Sequence, residues 1–124
     1  MSSQISNKQI DFTVSSNESY FLNVIIGNGQ IGSTTFKNLN NDQFSPDIIN
    51  APVGMGSLIK GKNSMVVSVV IDVNPDTDNL IVAYYLSKAP KSPDQLSQMN
   101  PVGTSSMTLP TNSTAIFVTT LNFI

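Results

Sequence analysis

Two short apolar runs constrain the fold of this chain more than any other feature. Residues 65–73 and 80–86 are rich in Val and Ile, and each is too brief for a buried helix. Between them lies Asn74-Pro75-Asp76-Thr77-Asp78-Asn79, a string of turn formers. Apolar runs of strand length bounded by turns are strands covered on at least one face and partly on both. In the first run Met65, Val67, Val69, Ile71 and Val73 share one face, while Val66, Ser68, Val70 and Asp72 share the other. The pair reads as a hairpin at the centre of the domain.

The rest of the chain follows the same period of two. Ile10, Phe12 and Val14 alternate with Asp11, Thr13 and Ser15, which predicts a half-buried strand behind a flexible N-terminal segment, residues 1–8. Tyr20, Leu22, Val24 and Ile26 line one face of the next run. Gly27-Asn28-Gly29 closes it, and Asn-Gly turns favour hairpins, so residues 19–36 are expected to pair with themselves. Pro46 and Pro52 restrict residues 37–52 to an edge strand or an ordered loop. Residues 53–59 read as a short strand in which Gly54 and Gly56 mark a bulge or a close backbone approach. Ser92, Pro93, Asp94 and Gln95 have the spacing of a capping box with proline in the first turn, which predicts a helix of at most two turns. A strand near Met107 precedes a final one over 114–123, with Ala115, Phe117, Leu121 and Phe123 on one side.

This grammar predicts an all-β, single-domain antiparallel β-sandwich of seven or eight strands over residues 1–124, Ig-like or jelly-roll-like. At most one short helix, near 93–99, interrupts it. A small closed β-barrel is the alternative.

Composition narrows the function. The 124 residues include no Cys, His, Trp or Arg. Disulfides, thiolate nucleophiles, the commonest general base and the bidentate phosphate clamp are therefore all missing. A net charge of −2 with six scattered lysines offers no basic stripe for a phosphate backbone, so nucleic acid is not an expected partner. No run reaches the ~20 apolar residues of a membrane helix, and the first residues lack the apolar core of a signal peptide, so a soluble protein is expected. The acids lie in turn-like segments and the Ser–Lys neighbours, Ser57 with Lys60 and Ser64 with Lys62, lack a supporting context. No enzyme is read from them.

Three sets of residues remain. Val66, Val70, Ile81 and Tyr85 lie on strands apolar on both faces, which one small sandwich has difficulty covering, so they are interface candidates for a homo-oligomer or another protein. Charged residues are only 11% of the chain, leaving few gatekeepers against strand-edge pairing. Asp72, Asn74, Asp76 and Asp78 present oxygens at alternating positions like the start of a calcium loop, although Thr77 and Ala83 stand where an EF-hand needs Gly and Glu. Ca²⁺ is the one cofactor they suggest. Asn38, Asn40, Asn41 and Asp42 form a polar turn suited to a carbohydrate ligand. The expected function is a non-enzymatic structural or interaction protein that self-associates through a sheet face or edge. A lectin-like, Ca²⁺-assisted carbohydrate-binding module is the alternative.

Overall fold

Strand pairing, rather than turn position, decides this architecture. The computed structural model describes residues 3–38 and 42–124. Over these residues nine strands and two short helices form two packed sheets. Strands β1 (Ser3–Phe12), β3 (Ile31–Lys37), β4 (Asp42–Ser45), β6 (Asn63–Ile71) and β9 (Thr114–Phe123) build a five-stranded sheet in the order β1-β9-β6-β3-β4. Strands β2 (Ser19–Ile26), β5 (Ile48–Met55), β7 (Asn79–Ser87) and β8 (Gly103–Thr108) build a four-stranded sheet in the order β5-β2-β7-β8. The expected sandwich is formed, with open sheets and no closed barrel, but with nine strands among the described residues where seven or eight are expected and two short helices where one is.

Neither expected hairpin exists. β2 pairs with β5 and β7, and β3 pairs with β4 and β6. The Asn-Gly turn itself does form: Asn28 and Gly29 have φ of 59° and 68°, and the Gln30 N–H donates to Gly27 O at 3.3 Å. However, the reversal carries the chain from one sheet to the other. The turn after β6 does the same, because β7 joins the four-stranded sheet. A turn fixes a few dihedrals, whereas a partner is selected along the whole strand. β6 runs its full length beside β9, from Asn63↔Asn122 to Ile71↔Thr114.

The N-terminal segment expected to be flexible is instead a strand from Ser3 onward. β1 lies parallel to β9, from Ser3↔Thr114 to Phe12↔Phe123, in a fold whose other pairings are antiparallel. Its polar side chains suit an edge, where β9 satisfies one side of the backbone and water the other. Ile10 enters the core, and Phe12 packs against it edge-on to Tyr20.

Two further local features bear on the surface. Helix α2 (Pro93–Ser97) has the expected capping box: the Gln95 N–H donates to Ser92 Oγ at 3.2 Å, and the Ser92 N–H donates to Gln95 Oε1 at 2.8 Å. Helix α1 (Gly56–Ile59) replaces the end of the strand expected over 53–59. A Cβ on Gly56 would lie 1.9 Å from Ser15 O, and the Gly56 N–H donates to Glu18 O at 2.7 Å. The backbones are that close because the residue has no side chain. β5 is an edge strand, as its Pro52 requires, and its register against β2 shifts on both sides of the proline.

The core fills the space between the sheets. Leu22, Val24, Phe36, Leu80, Val82, Tyr84, Phe117 and Leu121 are fully buried there. Each such side chain contributes about 2 kcal/mol relative to exposure. Val66 and Val70 belong to the same core, so they are not interface residues. The face carrying Ser68 turns inward because that hydroxyl finds a partner, Thr34 Oγ1, at 2.8 Å. Among the described residues no helix is long and apolar enough to cross a membrane.

Candidate functional site

The orientation of β6 sets the character of the outer surface. With Val66, Ser68 and Val70 inward, Met65, Val67, Val69 and Ile71 point away from the core. Register extends this row across the sheet. Val67 stands between Thr35 and Val118, and Val69 between Ser33 and Ile116. Beyond them, Thr35 pairs with Phe44 on β4, and Ile116 pairs with Ile5 on β1. The outcome is an apolar patch over β1, β9 and β6, separated by Ser33 and Thr35 of β3 from Phe44 on β4, with Phe44 at 74% and Ile5 at 64% exposure on the flanks. Its charges collect at one end, where Lys37 and Asp42 form an ion pair at 3.9 Å and Asp11 sits beside Asn122.

The opposite surface differs. Ile81 and Tyr85 face outward from β7, both half-buried. Tyr85 joins Ile25, Ile49, Pro93, Leu96 and Asp47 in an apolar groove of about 330 Å³ beneath α2. The Asp47 carboxylate there accepts the Ile26 N–H at 2.9 Å. Two of the four expected interface residues therefore lie on this surface, and two lie in the core. Tyr84, next in sequence to Tyr85, points inward, where burial pushes its phenol pKa up against the opposing effect of bonds to Ser105 and Thr119.

The Asn-rich turn is dispersed. Asn38 Nδ2 donates to Pro52 O at 2.9 Å and ties the end of β3 to the interior of β5. Asp42 is occupied by Lys37. Asn40 and Asn41 lie outside the described residues.

The loop after β6 is the most polar assembly in the molecule. Gln30 Oε1 accepts the N–H groups of Val73 and Asn74 at 2.8 and 2.9 Å, while Gln30 Nε2 donates to Thr77 O at 3.2 Å. Asn74 acts as a turn former: its Oδ1 accepts the Asp76 N–H at 3.0 Å and its Nδ2 donates to Asn28 O at 2.7 Å. Asp72 and Asp78 are brought together. Among the described residues no third acidic side chain joins them. The expected four-residue set thus reduces to one pair, with Asn74 turned to the neighbouring loop. Burial first, and then the Asp78 carboxylate, push the Asp72 pKa up, with Gln30 opposing them.

Sequence reasoning found the outward stripe of β6 but placed it inside. The signal available was Ser68, whose small hydroxyl pairs within a core, set against the bulk of Met65. No protein-family model matches this chain, and no curated protein or solved structure matches it significantly.

Proposed function

We propose that this is a non-catalytic structural protein that associates with a second copy of itself through the outer face of its five-stranded sheet. The observation that carries the reading is the outward apolar patch of Ile5, Val67, Val69, Ile116 and Val118, flanked across Thr35 by exposed Phe44, with its charges gathered at one end. Exposed apolar patches of this kind mark interaction sites.

A second copy suits the face in area and charge. Five strands at ~4.8 Å spacing and seven residues at ~3.3 Å rise give about 550 Å² in plan. Side-chain relief raises this toward the ~800 Å² each partner contributes to a standard interface. A two-fold axis through the patch brings the same surface to itself, and Val and Ile meet across it without an unpaired charge. The Lys37–Asp42 pair is internally neutral and lies at the rim.

Light scattering across a concentration series tests this. A dimer that dissociates on dilution is expected. A monomer persisting at high concentration overturns the reading.

A further inference from the structure

We infer that Asp72 and Asp78 form a site for a hard divalent cation of the calcium class. The Asp72 side chain has no exposed surface, and neither carboxylate oxygen has a hydrogen-bond partner. Its backbone is fixed by the 110–113 loop, with the N–H donating to Ser113 O at 3.0 Å and the carbonyl accepting the Asn112 N–H at 2.8 Å.

Its polar neighbours do not neutralise it. Asp78 raises its pKa and Gln30 lowers it, yet neither carboxylate oxygen receives a well-formed hydrogen bond. The Gln30 amide nitrogen donates instead to Thr77 O. Among the described residues the lysine ion pairs, Lys37–Asp42 and Lys88–Glu18, lie elsewhere. Two carboxylates in mutual contact need a positive charge between them, either a cation or a shared proton.

The setting favours a cation. Asp78 is exposed, so the outer carboxylate of the pair meets water. The Asp78 carbonyl accepts the Leu109 N–H at 3.0 Å, and Thr111 Oγ1 donates to Asp78 Oδ1 at 3.4 Å, which holds the outer carboxylate in place. Two carboxylates completed by water oxygens suit Ca²⁺, which accepts variable geometry, more than Mg²⁺, which demands a near-ideal octahedron.

The experiment is calorimetric titration of the chain with CaCl₂ at pH 7.5, paired with thermal melts in calcium and in chelator. One binding event is expected, together with a Tm rise of roughly 5 °C or more at saturating calcium. Asp78→Asn, at an exposed position, is expected to melt in chelator near the parent temperature and to lose at least about tenfold in calcium affinity, about 1.4 kcal/mol. No heat and no Tm shift up to millimolar calcium overturns the inference. An undiminished response in Asp78→Asn overturns it as well, by placing the ion elsewhere. A calcium-insensitive chain whose stability falls with rising pH, and in which Asp72→Asn removes that fall, assigns the pair to a shared proton and also overturns it.

Discussion

The hydroxyls of Tyr84 and Thr119 meet at 2.7 Å in the middle of the core and join β7 of one sheet to β9 of the other. Ser105 lies beside them, accepting from Tyr84 Oη at 3.2 Å. Sandwich sheets are usually held by apolar contact alone, which leaves their relative sliding weakly specified. A directional bond across the gap fixes the offset.

Tyr84→Phe removes that bond and little volume. A loss of about 1–2 kcal/mol is expected, because Thr119 and Ser105 are left with each other at 3.5 Å. Urea unfolding checks it, and an unchanged midpoint would refute the bridge as a stabilising contact.

Val118→Lys places a charge in the centre of the outer patch. The variant is expected to fold, since the position faces outward, and to weaken dimerisation at least about tenfold. Val70→Ala, in the core, is expected to behave in the opposite way, costing about 2 kcal/mol of stability with the association constant unchanged. Sedimentation velocity and circular dichroism on both variants separate assembly from folding. The contrast fails if Val118→Lys dimerises like the parent.

Asp72 gives a pH dependence of definite sign when calcium is chelated. Its pKa in the fold lies above the ordinary 3.8, so the folded state binds the proton more tightly than the unfolded chain. Its contribution to stability is then fully present below that ordinary value and is lost as pH rises through the raised one. Comparing the parent with Asp72→Asn cancels the other acids. The variant is expected to gain relative to the parent between pH 4 and pH 7.5, and saturating calcium is expected to reverse the ranking at pH 7.5. Melting curves at both pH values test this, and a constant difference would show that Asp72 does not titrate in the fold.

Gly56→Ala forces a methyl group to within 1.9 Å of Ser15 O, a backbone atom. A cost of at least about 2 kcal/mol is expected from the required backbone shift. Ala at Gly61, where no atom lies within 4 Å, provides the control, with only its positive φ of 82° to penalise it. Equal melting temperatures for the two would remove the argument.

The strands were legible in the sequence, and their partners were not. Tyr20, Leu22 and Val24 on β2, and Ala115, Phe117, Leu121 and Phe123 on β9, are buried as their period of two requires. The capping box of α2 formed atom for atom, because all its determinants lie within four residues. The corners at 27–30 and 72–78 were misread as hairpins because the same turn residues serve a chain that pairs with itself and one that crosses to the facing sheet. β6 was assigned the wrong inner face for a related reason. The more apolar of its two faces is the one that turns outward, so apolarity alone points the wrong way, and the inward face is marked by a polar contact 34 residues away in sequence, Ser68 to Thr34. The acidic loop was recognised as a cluster, but the burial of Asp72 depends on loop 110–113, which no local pattern announces.

The parallel pairing of β1 with β9 has a consequence for how the molecule is made. Ser3 rests against Thr114, so β1 has no place to dock until β9, far downstream of it, has been made. Closing that span costs more chain entropy than any adjacent pairing. In the interval β1 stays free while β9 is still missing, and afterwards the outer edge of β9 is shielded by a mostly polar strand anchored by Ile10 and Phe12 at one end. Two chains maturing side by side can therefore exchange their leading strands, each completing the other's sheet, and the order of synthesis becomes a determinant of which copy a strand ends up serving.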